Sequence, residues 1–175
     1  MVHKINTKDI RKQIESLCAG DSVLLTGTIY TARDAAHKRI VSLMEEGKTL
    51  PFNIRDAVIY YAGPTPAKNG LSVGSCGPTT SSRMDVFSPM LIQAGLCGMI
   101  GKGQRNDATI EAMKKYGAAY FCAIGGAGAL SSKAIKKSEV VAFEELGCES
   151  IKKMYVEDFP LIVGIDCKGN SLFNR

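Results

Sequence analysis

Apolar residues at Ile10, Ile14 and Leu17 recur at a helical spacing, which predicts a helix over 9–18. SVLLTGTIYT (22–31) is rich in β-formers and reads as a strand. ARDAAHKRIVSLMEEG then reads as a helix closed by Gly47. After a short connection at Leu50 to Asn53, AVIYYAGP (57–64) is a second strand, stopped by Gly-Pro, and 65–82 is rich in turn formers. RMDVFSPMLIQAG is predicted to continue as a helix, kinked at Pro89, into the short strand CGMIG. GKGQRND (101–107) is a loop, and ATIEAMKKYG a helix capped by Asn106 or Asp107. AAYFCAIG (118–125) is a buried strand, SSKAIKKS a short helix leading to EVVAFEEL, and FPLIVGIDCKGNSLF two short strands around a Lys-Gly-Asn turn. Strands and helices alternate without a linker or repeat, so the expectation is one compact α/β or α+β domain over 1–175.

Composition narrows the function. The chain is 45% hydrophobic and 22% charged, a globular balance. Its net charge of +5 is spread without a run of five basic residues, which argues against nucleic-acid binding and suits an acidic small molecule. No two of the six cysteines form a CxxC pair, so neither a zinc ribbon nor a local cluster site is expected. Buried free thiols in a reducing cytosol are the reading for them, Cys76 included. The first residues carry no signal-peptide pattern and no apolar run is long enough to span a bilayer, so the protein is expected to be cytoplasmic, with no membrane partner.

The candidate chemistry is concentrated in GPTTSSRMD (77–85) and TARD (31–34). Thr31 with Asp34 and Ser82 with Asp85 both fit a capping box, which puts Arg33 and Arg83 in first helical turns, where the helix dipole disfavours a cation. A solvated or ion-paired arginine is the plain alternative for each. The repetition favours a ligand with two acidic ends, held by N–H groups, hydroxyls and guanidinium groups together. Thr79, Thr80 and Ser81 offer more hydroxyls than one cap requires. Lys102 lies on a Gly-rich turn after a strand, where it is either an anion contact or an exposed loop lysine. The turn lacks the Ser or Thr of a phosphate-binding GK[ST] loop. GGAGAL (125–130) has half of a dinucleotide fingerprint and lacks its third glycine. His37, four residues after Arg33, is either an acid/base or substrate contact or a helix-surface or capping histidine. Asp85 is expected to cap its helix and pair with a base. No metal-ligand cluster and no nucleophile–base pair is visible. The sequence offers anion recognition without an engine, as in a binding domain or one half of a shared active site.

TGTIYTARDAAHKR (26–39), YYAGP (60–64), GPTTSSRMD (77–85), MIGKG (99–103), AFEELG (142–147) and VGIDCKGNS (163–171) occur in that order. Together they resemble the C-terminal domain, or separate β subunit, of class I iron–sulfur fumarate hydratases. The β subunit of L-tartrate dehydratase is similar. The resemblance implies a swivelling β/β/α domain and a partner α subunit that carries a [4Fe-4S] cluster on three cysteines. In the family the open iron binds substrate as a Lewis acid, and this chain corresponds to the cluster-free half. It further implies that Arg33, Arg83 and Lys102 hold a dicarboxylate and that Thr79 is a substrate contact or proton-transfer group, with Thr80 beside it. Arg105, in a loop that departs from some relatives, is open as an extra contact. RMD at 83–85 and RDAAHKR at 33–39 look more like the fumarase side than the tartrate side. The expectation is therefore the β component of a heteromeric hydro-lyase converting fumarate to L-malate. L-tartrate dehydratase, a non-catalytic anion-binding module and a nucleotide-binding domain are the alternatives, and a homodimer of the isolated chain is left open.

Overall fold

The computed structural model describes residues 2–67, 70–123 and 128–174, the last of these as backbone alone over 128–130. Seven strands form one sheet: β1 (Val2–Asn6), β2 (Ser22–Thr31), β3 (Val58–Tyr60), β4 (Gly98–Gly101), β5 (Ala119–Cys122), β6 (Ile135–Ala142) and β7 (Ile151–Ile165). Strands β2, β3, β4 and β5 are parallel neighbours. The fifteen-residue β7 runs antiparallel to both β5 and β2, which closes β2-β3-β4-β5-β7 into a five-stranded barrel. Outside the ring, β1 extends the lower part of β2 and β6 the start of β7.

Alternation along the strands builds two buried layers. Tyr60, Ile100 and Phe121 join Leu25, Ile29, Phe159 and Val163 in one cluster. Their immediate neighbours Ile59, Met99 and Tyr120 join the other. The second cluster also holds Ala36 and Ile40 of α2 (Asp34–Glu45), Leu91 and Ile92 of α3 (Ser88–Gln93) and Met113 of α4 (Asp107–Tyr116). Helices α2, α3 and α4 pack on the outer faces of the strands, so the first cluster is the barrel interior, filled by side chains as a small barrel requires. Short α1 (Ile10–Gln13) and the 3₁₀ turn after it (Ile14–Ser16) add Ile10 and Ile14 to that first cluster from one end. No helix among the described residues is long and apolar enough to cross a membrane.

The mixed helix and strand content agrees with the sequence reading, with four corrections. β1 was not anticipated. The expected helix over 131–138 is instead the end of α5 (Gly128–Ala134) and the first residues of β6, because pairing with β7 overrides the helical preference of this polar edge strand. The expected helix from Arg83 is a 3₁₀ turn (Ser81–Met84) followed by α3, which Pro89 starts rather than kinks, its missing N–H falling where no partner is needed. β7 begins eight residues before Phe159, with Asp158 at a φ of 47° where the ladder between β2 and β7 shifts register. The expected final turn is present: Asp166 accepts from the N–H groups of Lys168 and Asn170, and Ile165 bridges Ser171. Residues 125–127 of GGAGAL lie outside the described residues.

Candidate functional site

The parallel strands deliver their C-terminal ends to one rim, where α/β sheets usually bind ligands. There β2 leads to Arg33, β3 to Gly63 and β4 to Lys102. The loop before β7 arrives from the opposite direction, since β7 is antiparallel.

Arg33 occupies the N-cap of α2 in extended backbone (φ −114°, ψ −158°), with no side-chain cap. The capping box read from the sequence does not form. Thr31 is the last residue of β2, wholly buried, and its Oγ1 accepts from Lys152 N–H at 3.1 Å and donates to Ser150 O at 3.4 Å. Guanidinium has no acceptor atom, so Arg33 cannot cap the helix itself. Glu149 Oε1 takes the Ala35 N–H instead, at 3.4 Å. The Arg33 side chain lies against Gly63: a Cβ there would sit 2.9 Å from Nη1 and 3.2 Å from Cδ. Its Nε is buried without a hydrogen-bond partner, and among the described residues Arg33 joins no ion pair.

The GPTTSSRMD segment is stitched across the neighbouring strand ends. Thr79 N–H donates to Tyr61 O at 2.7 Å, Thr80 bridges Lys102 in parallel, and Ser81 N–H donates to Lys102 O at 2.9 Å. Ser81 Oγ accepts from Tyr120 Oη at 2.9 Å. It packs so tightly on β4 that a Cβ at Gly101 would lie 1.9 Å from it. Thr79, Thr80 and Lys102 therefore share one short piece of rim, with Thr79 half-buried and the other two exposed. Among the described residues neither threonine hydroxyl nor Lys102 Nζ has a hydrogen-bond partner. Arg83, also exposed, reaches to the start of α2 and donates from Nη2 to Asp34 Oδ2 at 3.2 Å. That pair is about half solvent-exposed and contributes about 0–1 kcal/mol, so a ligand carboxylate can compete for the guanidinium.

Two residues left open as contacts are placed elsewhere. Arg105 is not available to a ligand. Its side chain is fully buried, with Nε on Asp85 Oδ1 at 2.6 Å and Nη2 on Ser88 Oγ at 2.7 Å and Tyr61 Oη at 3.1 Å. The rings of Tyr61 and Tyr120 flank it at 5.2 and 4.9 Å. Burial works against its charge, but Tyr61 and Asp85 outweigh that and hold it above the ordinary arginine value. Asp85 also accepts from Asn106 N–H and Thr109 Oγ1, so it anchors the start of α4 rather than capping its own turn. His37 is wholly buried rather than on the helix surface, beside Tyr61 and Phe87. Burial, with the Arg105 charge adding to it, pushes the imidazole down to about 4, so it is neutral at pH 7. The sequence carries no signal that distinguishes this buried arginine and histidine from exposed ones.

Cys76 and Cys97 are buried thiols pushed up to about 12 by burial, whereas Cys18 and Cys148 are exposed, against expectation. Among the described residues no three His, Cys, Asp or Glu side chains gather where they could hold a metal, so this donor set does not fit an iron–sulfur cluster.

Residues 2–175 match the family model described as Fumarase C-terminus. The chain belongs to that family. It is 42% identical over 170 residues to the anaerobic class I fumarate hydratase of Escherichia coli K12, covering 96% of this chain and 31% of the relative. Fumarate hydratase 2 of Leishmania major is 39% identical, with 95% and 30% covered. The chain thus spans about a third of the length of these relatives. It is also 38% identical to the putative L(+)-tartrate dehydratase subunit beta of Methanocaldococcus jannaschii, across 99% of this chain and 90% of that one. Membership in the Fumarase C-terminus family was therefore legible from the ordered motifs of the sequence.

Proposed function

We propose that this Fumarase C-terminus chain is the substrate-gripping half of a hydro-lyase that reversibly hydrates fumarate to L-malate. The observation that carries the reading is Arg33: among the described residues its guanidinium has no ion pair and its buried Nε no partner, on the rim that also bears Thr79, Thr80 and Lys102. Arg33, Arg83 and Lys102 neutralise the two carboxylates of the substrate. As a proton leaves the carbon next to a carboxylate, negative charge moves onto that carboxylate, and the same cations stabilise it. Thr79 faces the reacting carbons as the proton-transfer candidate and Thr80 orients the substrate beside it. The [4Fe-4S] cluster belongs to a partner, the α subunit or an equivalent domain, since these residues do not fit it. The barrel would then work as a swivelling β/β/α domain that brings its rim to the partner's face, in a cytoplasmic assembly.

The tartrate dehydratase relatives keep L-tartrate as the second reading, because they match this chain over nearly their whole length. Anaerobic co-expression with the cluster-bearing partner, followed by assay on fumarate, L-malate and L-tartrate, separates the two. Higher kcat/KM on fumarate and malate is expected. Arg33→Ala and Arg83→Ala should each lower turnover of the complex by about 10²- to 10³-fold with the fold intact by circular dichroism. Full activity of both variants would remove the site assignment, and ligand binding without any hydration would leave a non-catalytic anion-binding module.

A further inference from the structure

An N-cap residue normally fixes its own backbone through a side-chain oxygen, and Arg33 has none. Its carbonyl is instead held twice by one residue. His37 N–H donates to Arg33 O at 2.9 Å, the first helical bond, and His37 Nδ1 lies 2.8 Å from the same oxygen. A carbonyl can only accept, so Nδ1 carries the proton and Nε2 keeps a lone pair. That Nε2 is buried and has no partner among the described residues. Tyr61 at 5.5 Å and Phe87 at 5.7 Å surround the ring, and an apolar side chain would pack there without leaving a polar atom unsatisfied. What an apolar side chain could not do is give the Arg33 carbonyl this second donor. The ring is neutral in this setting, so it donates from Nδ1 alone.

We propose that His37 is a positioning residue for Arg33: its Nδ1–H gives the Arg33 carbonyl a second donor beside the helical N–H, and so fixes the direction in which the guanidinium leaves the rim. The catalytic consequence rests on Arg33 being a carboxylate contact. The structural part does not.

Three measurements test it. Imidazole nitrogen NMR on the wild-type chain should show the Nδ1–H tautomer at pH 7; an Nε2–H tautomer overturns the proposal, and this needs no variant to fold. In the chain, the Arg33 Nε–H signal should survive in His37→Asn, whose amide nitrogen reaches the place of Nδ1, and broaden or vanish in His37→Leu. In the assembled enzyme, His37→Leu should lose about 10- to 10²-fold in kcat/KM, as expected when a binding group shifts by about an ångström, and His37→Asn should recover most of it. An unchanged signal and unchanged kcat/KM in His37→Leu overturns the inference. Loss in both variants alike also overturns it, since the ring would then be needed for packing. If the NMR results hold but Arg33→Ala keeps full activity, the positioning stands and the substrate role of Arg33 falls.

Discussion

Burying His37 has a consequence for stability at acid pH. The folded imidazole titrates near 4 and an unfolded one near 6.5, so between these values the unfolded chain binds a proton that the folded chain does not. The contribution is complete above pH 6.5 and is lost as pH falls toward 4, roughly 3 kcal/mol in all. Asp34 and Arg105 are the charged groups acting on the ring, in opposite senses, and both act less than burial does. The carboxylates held low, Asp21 by the Cys18 N–H and Glu145 by Arg39, lose their contributions as pH falls from the ordinary carboxylate values downward, which is below about pH 5. Urea unfolding at pH 7 and pH 5 should therefore show a drop in the wild type that shrinks in His37→Leu. Equal drops would mean that the ring is already protonated in the fold. At this scale the sequence named Arg33 and Arg83 through capping boxes that do not form, since Thr31 is spent on Lys152 and Ser150 and Asp85 on α4. Both arginines nevertheless reach the start of α2, one as its N-cap and one through Asp34. Arg105 was left open because its burial depends on Tyr61, Ser88 and Tyr120, which are remote in sequence.

Between elements, the Asp85–Arg105 pair binds the 3₁₀ turn that carries Arg83 to the start of α4. Removing one partner leaves an uncompensated buried charge. Asp85→Ala is expected to destabilise the chain by about 3–5 kcal/mol, measurable by chemical denaturation. A loss below about 1 kcal/mol would show the pair to be hydrated. Gly101 tests the same region from the opposite side. A Cβ there meets Ser81 Oγ at 1.9 Å and Tyr61 Cδ2 at 2.8 Å, so Gly101→Ala must push the threonine segment off β4. Activity of the assembled enzyme should fall more than its melting temperature does, because Thr79, Thr80 and Arg83 all move. Helices α2 and α4 were legible because each presents one apolar face over three turns or so. The start of β7 was not, because the polar pair Glu157-Asp158 interrupts its alternation at the register shift opposite β2. β6 hid for a different reason: its lysines face water on an edge, and only β7 makes it a strand.

For the whole molecule, the barrel places its cations where solvent still reaches them. Arg83 and Lys102 are exposed and Arg33 is half-buried. An exposed ion pair contributes about 0–1 kcal/mol, so three such contacts give at most about 3 kcal/mol, before the cost of fixing a small ligand. A dissociation constant of 1 mM needs about 4 kcal/mol. The isolated chain should thus bind fumarate or succinate weaker than about 1 mM, as read by amide shifts of residues near Arg33 and Thr79. Tight binding appears only if another surface excludes water from the rim and strengthens each contact. On the proposed reading, that surface belongs to the cluster-bearing partner. Binding tighter than about 0.1 mM by the lone chain would contradict a shared site, because the barrel would then close its own pocket. Binding that strengthens at least tenfold on addition of the cluster-bearing partner, and that disappears again in Arg33→Ala, would fix the rim as one wall of a site that neither half forms alone.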